Sequence, residues 1–331
     1  MSLSSGPLEL VPVGGPAALE LVELEQTTRD YAAQAKAPNT VRAYRADWKL
    51  FEAWANARGL CSLPASPVTA ALYAASCAKA GQKISTIERK LVSLSRAHKL
   101  AGHESPTSSA ELREVVKGIR RNLGTAATQK SPISVSNLRA MMTATPERLL
   151  GVRDRALLLI GFAGAFRRAE LVALNVDDIR ETSDGLEVII RRSKTDQEAE
   201  GRKIGVPYGS NPRTCAVRAY RAWLLASAID TGAIFRRITR TGHRGGRVTQ
   251  ARLSSKAVAI IVKRYALATN LDTKNFSGHS LRAGLLTAAA KAGKDRRVIK
   301  RQSGHRSDAI LDSYIRDGEL FSDNAASGIG L

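Results

Sequence analysis

Apolar residues recur in helical phase along most of this chain. From Asn39 onward Val41, Tyr44, Trp48, Phe51 and Trp54 stand three and four residues apart, Asn39-Thr40 offers an N-cap, and Arg42, Arg45 and Lys49 fall on the opposite face. A second helix is predicted over Pro67 to Ala80. A third starts near Ser85 and lines up Ile87, Leu91 and Leu94, with Lys83, Arg89, Lys90 and Arg96 around it. A fourth covers Ser108 to Arg121. These helices form a first unit over 27–122. Ahead of it, residues 1–26 are rich in Gly, Pro and Ser and read as a flexible arm, with a short helix at most.

The stretch 123–132 (LGTAATQKSP) is polar, with Gly, Thr and Pro, and reads as a linker; an ordinary surface loop would have the same composition. A second unit over 133–331 opens with a helix at Val135 to Ala144, which Ser134 can cap. A long apolar helix follows over Asp154 to Gly164, then a turn and a short helix at Arg168 to Leu174. Leu186 to Arg192 alternates and is β-branched, so it reads as a strand; Arg202 to Val206 returns beside it as a small hairpin. The remainder reads as helices over Pro212 to Ile229 and Ser254 to Thr269, from near Ser280, over Asp295 to Gln302 and over Asp308 to Ile315. The fold class is mainly α: a helical first unit and a mixed α+β second unit with a small β-hairpin.

Composition sharpens this picture. The 331 residues suit two domains. Lys plus Arg number 51 and Asp plus Glu 30, a net charge of +21, with hydrophobics at 44%. Such an excess in a foldable chain points to a polyanionic partner. Between 232 and 306 there are 18 bases and two acids, Asp272 and Asp295, whereas residues 1–30 hold five acids and one base. A surface built only for solubility mixes its signs, so this segment is expected to face nucleic acid. No membrane partner is expected: the longest apolar run, Ala156 to Phe166, is far short of the roughly 20 residues needed to span a bilayer. Cys61, Cys77 and Cys215 fit neither a zinc site nor a disulfide framework, which suits a reducing cytoplasm.

Several polar residues stand where a purpose is needed. Arg167 ends the eleven-residue apolar run, so its guanidinium requires a partner, and Glu170 lies one helical turn on. A structural ion pair alone would explain both. His279 and Arg282 share one face at a helix start that Ser277 or Ser280 can cap, where anions are welcome. His305 recurs in a similar Ser-Gly-His string, Tyr314 follows nine residues later, and Lys194 sits at the hairpin tip. Tyr314 alone would pass for a buried helix tyrosine and Lys194 for a surface lysine. The histidines lack a metal-binding pattern, and GHRGGR at 242–247 is not a phosphate-binding loop.

Taken in order, Arg167, Lys194, His279-x-x-Arg282, His305 and Tyr314 resemble the signature of the tyrosine recombinases, the lambda-integrase family. The strings AFRRAELVALNVDDI, RSKT, SGHSLRAG and SGHRSDAILDSYIRD carry the resemblance, and NTVRAYRADWKLFEAWA and KISTIERKLVSLSRAHKLAG resemble that family's core-binding domain. The layout is most similar to Cre-like phage and plasmid recombinases, although those can carry tryptophan where this chain has His305.

The resemblance implies a SAM-like core-binding domain over 27–122, a catalytic domain from 133, an interaction tail from about 317, and a C-shaped clamp on double-stranded DNA. It implies strand exchange through a covalent 3′-phosphotyrosine and a Holliday junction, without ATP, metal or other cofactor, by a homotetramer on two duplexes. Tyr314 would be the nucleophile, His279 its base, Arg167, Arg282 and His305 the grip on the phosphate, Lys194 the acid and Glu170 the support of Arg167. Expected DNA contacts are Arg42, Arg45, Lys83, Arg89 and Lys90 in the first unit and Arg240, Arg244, Arg247 and Lys256 in the second. Rival readings are a type IB topoisomerase or telomere resolvase, a catalytically silent DNA-binding protein, and an RNA-binding protein; aromatics at 5% leave the last few stacking platforms.

Overall fold

The computed structural model describes residue 21 and residues 23–28, 31, 37–124, 130–191, 201–239 and 246–319. The chain divides into two compact units, Met1–Thr128 and Gln129–Leu331.

Among the described residues of the first unit, 23–28 are helical and four further helices follow: α1 (Pro38–Asn56), α2 (Pro67–Lys79), α3 (Ile84–Leu100) and α4 (Ala110–Leu123). Ser66 and Ser109 cap α2 and α4, each accepting from a backbone N–H three residues on. Phe51, Tyr73, Ile87, Leu94 and Leu112 are buried together at the centre, as their spacing requires. Phe51 meets Tyr73 edge-on at 5.0 Å between ring centres. His98 joins this core. It is fully buried, and its Nε2 accepts from the backbone N–H of Ala65 at 2.8 Å, tying α3 to the turn before α2.

The second unit surrounds α6 (Leu149–Ala163), whose residues from Ala156 to Phe162 are all buried. A helix that is apolar all round belongs at the centre of a fold. Around it lie α5 (Val135–Thr143), α7 (Arg168–Ala173), α8 (Ala216–Ser227), α9 (Ser255–Ala268), α10 (His279–Lys291), α11 (Arg296–Ser303) and α12 (Asp308–Glu319). Ser134 and Ser254 cap α5 and α9. Before α5, Ser131 N–H donates to Asn275 O and Ile133 N–H to Ser280 O, so residues 131–133 are strapped to the start of α10.

The hairpin is larger than the alternation indicates. β1 (Ile179–Glu181), β2 (Gly185–Ile190) and β3 (Arg202–Pro207) form a three-stranded antiparallel sheet, with Val188 opposite Ile204. A second hairpin, β4 (Arg236–Ile238) with β5 (Val248–Arg252), occupies a stretch read as lacking strands. Arg236 anchors it, donating to Ala233 O at 2.9 Å and bonding Thr231 O and Gln250 Oε1. Residues 1–20 of the expected arm, residues 125–129 of the linker and the tail from 320 lie outside the described residues.

Candidate active site

The apolar run of α6 ends in a turn in which Ala165 takes a positive φ of 49°, and the chain emerges at Arg167. Glu170 is 4% exposed and holds that residue twice: Oε2 accepts from the Arg167 backbone N–H at 2.9 Å, and Oε1 accepts from Nη1 at 2.6 Å. The carboxylate therefore fixes both the start of α7 and the direction of the guanidinium. A second cation, Arg202 of β3, reaches Glu170 Oε2 at 3.1 Å.

α10 begins at His279 and brings Arg282 in one turn later. Arg282 is 1% exposed. Its Nη1 donates to Ala165 O at 2.7 Å and Ser303 O at 2.6 Å, and its Nη2 lies 2.9 Å from His305 Nε2. One buried guanidinium thus binds the turn after α6 to the end of α11. Gly304 closes α11 with φ +64°, a left-handed C-cap that glycine adopts without strain, and the chain returns to deliver His305. Ser303 Oγ meets His305 Nδ1 at 2.8 Å.

Tyr314 comes from α12, which packs on α10 through Ala283, Leu286, Ala290 and Leu311. The ring is 8% exposed. Its hydroxyl stands 2.6 Å from His279 Nε2, and the phenol donates when that nitrogen is the unprotonated one. The His305 ring lies 6.0 Å away, centre to centre.

The electrostatics follow from burial and cations. Burial, then Arg282, Arg167 and Arg168, lowers the His279 pKa below its ordinary value. Burial and the same two site arginines, Arg282 and Arg167, push His305 down to about 3. Both imidazoles are therefore neutral at pH 7. Burial lowers Arg282 to about 10, still cationic at neutral pH. Burial raises the Tyr314 phenol, while Arg282 opposes the rise. The result is a protonated phenol, a neutral imidazole that can receive its proton, and three guanidiniums (Arg167, Arg202, Arg282) facing one carboxylate. An oxyanion arriving there meets fixed donors that need no reorganisation. Among the described residues, no three His, Cys, Asp or Glu side chains gather as a metal site, and no helix is long and apolar enough to cross a membrane.

Arg167, Glu170, His279, Arg282, His305 and Tyr314 are thus brought into one cluster from α7, α10 and α12 and the turns before α7 and after α11. Lys194, Arg240 and Arg244 lie outside the described residues. Residues 132–319, more than half of the chain, match the model of the phage integrase family, and residues 26–105 match that of the phage integrase N-terminal SAM-like domain. The chain belongs to the phage integrase family.

Relatives of this tyrosine recombinase include an integrase/recombinase xerD homolog of Selenomonas ruminantium, 40% identical over 88% of this chain and 85% of the relative. The recombinase cre of Escherichia phage P1 is 24% identical over 80% of each chain. Among solved structures, a lambda integrase dimer on a core site superposes with a TM-score of 0.57 at 18% identity, over 89% of this chain and 94% of that one. The Tn1549 transposon integrase with transposon right-end DNA does so at 0.60 and 15%, over 87% and 92%. Membership makes the protein a site-specific DNA recombinase, an enzyme of strand cleavage and rejoining.

The expected DNA contacts of the recombinase separate into groups. Arg42 and Arg45 are exposed on one face of α1, Lys83 is exposed ahead of α3, and Arg247 and Lys256 are exposed beside β5 and on α9. Arg89 is half exposed and donates to Asp47 at 3.2 Å. Lys90 is a correction. It is 7% exposed, with Nζ 3.6 Å from Cys77 Sγ and 5.3 Å from the centre of the Tyr73 ring, so its ammonium is spent inside the core. Two residues of the cluster escaped the sequence reading, Arg202 and Ser303. Arg202 carried a signal, because positions 202, 204 and 206 share one face of β3 and the other two are Ile and Val.

Proposed function

We propose that this cluster cleaves one DNA strand at a time by attack of Tyr314 on a phosphodiester. The phenolic oxygen bonds to phosphorus as the bond to the 5′-oxygen breaks, leaving a 3′-phosphotyrosine and a free 5′-hydroxyl. His279 takes the phenol proton, and Lys194 supplies one to the leaving 5′-oxygen. Arg167, Arg282 and His305 bind the non-bridging oxygens, where charge grows, and Glu170 keeps Arg167 aimed. The phosphotyrosine stores the bond energy, so rejoining by a new 5′-hydroxyl needs no ATP, and side-chain cations do the work that a metal does elsewhere. The observation that carries this reading is the 2.6 Å contact between Tyr314 Oη and His279 Nε2, beside a buried Arg282 already joined to His305.

The substrate is double-stranded DNA, in a specific site of inverted repeats around a spacer. Support comes from the net charge of +21, the exposed Arg42, Arg45, Arg247 and Lys256, and relatives solved on DNA. A first domain over 27–122 and a catalytic domain from 133, joined by a linker, would each contribute contacts to the duplex. Exchange between two duplexes through a Holliday junction calls for four protomers, with the tail from about 317 linking neighbours, in the cytoplasm where such DNA lies.

The test is a denaturing gel of the protein with a nicked suicide duplex bearing its site, found by sequencing trapped products from a randomised library. The wild type should give a covalent adduct and Tyr314→Phe none. An adduct with Tyr314→Phe would remove Tyr314 as the nucleophile.

A further inference from the structure

Arg202 has no place in the steps above, yet its guanidinium joins Glu170 to the end of α11. Its strand neighbours on the same face, Ile204 and Val206, are buried in the core of the unit. Nη2 donates to Glu170 Oε2 at 3.1 Å, and Nη1 donates to Gln302 O, in the last turn of α11, at 3.2 Å. The flat of the guanidinium lies against Gly304: a Cβ added there would fall 2.7 Å from Arg202 Cζ and 3.0 Å from Nε. From the other side Arg167 Nη2 reaches Gly304 O at 3.5 Å. Nε of Arg202 is buried and meets no acceptor among the described residues.

We infer that Arg202 is a positioning residue for strand cleavage, one guanidinium that fixes Glu170, and through it Arg167, on one side and the turn bearing His305 on the other. The inference rests on the roles proposed for Arg167 and His305. A carboxylate held by one cation can swivel. Here Oε1 is taken by Arg167 and Oε2 is shared between the Arg167 backbone and Arg202, so both oxygens are pinned. Stability alone is a poor reason for this residue. A third aliphatic side chain beside Ile204 and Val206 would fill the face, whereas a buried N–H without an acceptor costs about 1–3 kcal/mol and a buried ion pair often brings no net gain. Charge gives a better reason. Three guanidiniums against one carboxylate leave the cluster at +2, and attack on a phosphodiester builds a second negative charge on its oxygens; without Arg202 the cluster would stand at +1.

The test is single-turnover cleavage of the nicked duplex, with duplex binding followed by anisotropy. Arg202→Met should cleave roughly 10- to 100-fold more slowly, the scale on which outer hydrogen-bond partners act through the groups they orient, with duplex affinity within about twofold of wild type. Arg202→Lys, which keeps the charge, should recover part of the loss. In a Glu170→Gln background Arg202→Met should cost less than about threefold more, because the group it positions is gone. Wild-type cleavage by Arg202→Met, full additivity with Glu170→Gln, or affinity falling in step with rate would each overturn the inference. Should Arg202→Met fail to fold, Arg202→Lys carries the same comparison: a slowing that Glu170→Gln masks supports the role, and an additive one refutes it. Tyr314→Phe on the same gel separates the two proposals. An adduct there defeats the nucleophile, while its absence together with unimpaired Arg202→Met defeats only Arg202.

Discussion

Replacing Glu170 by Gln keeps the shape and removes the charge, which isolates what the carboxylate does. Glu170 accepts three hydrogen bonds, from Arg167 Nη1 at 2.6 Å, Arg167 N–H at 2.9 Å and Arg202 Nη2 at 3.1 Å. In the amide one oxygen becomes an NH2 group, which sets a donor against a donor. Two guanidiniums lose their shared counter-ion. Removing one partner of a fully buried pair costs about 3–5 kcal/mol. The Arg167 and Arg202 side chains keep 19% and 20% exposure, so water recovers part of this and about 2–3 kcal/mol remains. For a unit of this size each kcal/mol is worth about 2–4 °C, so its melting transition should fall by about 4–12 °C. Calorimetry on the full chain reads this as a shift of the larger of two transitions. Below the lowered transition, cleavage of the nicked duplex should still be at least about tenfold slow, since Arg167 has lost its aim. Glu170→Asp, one methylene short of reaching both cations, should fall between. A transition within about 1 °C of wild type, with cleavage within about twofold, would refute the claim that this carboxylate organises the site.

Two further outcomes test the chemistry and the packing. His279 and His305 both have pKa values lowered by burial and by Arg282, so they stay neutral when an ordinary imidazole, near 6.5, would begin to protonate. The acid limb of single-turnover cleavage should therefore lie below pH 6.5, and a midpoint at or above that value would refute the assignment of a neutral His279 base. Stability follows the same sign: the unfolded chain takes up these protons from about pH 6.5 downward while the folded site does not, so the denaturation midpoint should fall as pH drops from there toward 3. For packing, a Cβ added at Gly284 would fall 2.8 Å from Phe162 Cε2 and against Ile133 O, whereas one added at Gly118 of α4 meets nothing within 4 Å. Gly284→Ala should destabilise the second unit by about 1–3 kcal/mol and loosen the Ile133–Ser280 bond under α10. Gly118→Ala, in a helix interior, should stabilise the first unit by about 0.5–1 kcal/mol. Equal effects in denaturant titrations would undo the reading of α10 as a helix seated on backbone.

The helices were legible because their apolar periods are long and their serine caps are local. Pro67–Lys79, Val135–Thr143 and Ser255–Ala268 all begin at such signals. The short strands were not. β1 offers three residues, Ile-Arg-Glu, too few to show alternation. β4 and β5 are arginine-rich and joined through the Gly-rich 242–247 stretch, so their pairing depends on the Arg236 anchor rather than on any pattern of their own. Neither cap candidate for α10 is its N-cap, which is Gly278 with no side-chain cap bond; the serines brace the turn before it, Ser277 Oγ accepting from His279 N–H and Ser280 Oγ from Ser277 N–H.

The polar residues of the site obey a simpler rule than charge counting. Lys90 falls in step with Ile87, Leu91 and Leu94, Arg202 with Ile204 and Val206, and Arg282 with Leu286 one turn on. In each case the phase of the neighbouring apolar residues foretold burial, and for Lys90 the expectation of a DNA contact set that phase aside in favour of local charge. Burial by itself still does not mark function, for Lys90 and Arg282 are inside and Arg202 is largely covered. What separates them is the company burial forces on them. Lys90 ends on a thiol and an aromatic face, partners that satisfy an ammonium and leave nothing over. Arg202 and Arg282 end on Glu170, on carbonyls of turns and on His305, and Glu170 in turn holds Arg167. Among the described residues, gathering Arg202, Arg282 and Arg167 around one carboxylate leaves the cluster net positive, a charge that suits a bound anion. On the function proposed above that anion is the phosphodiester, and the phenol beside His279 is the group that attacks it.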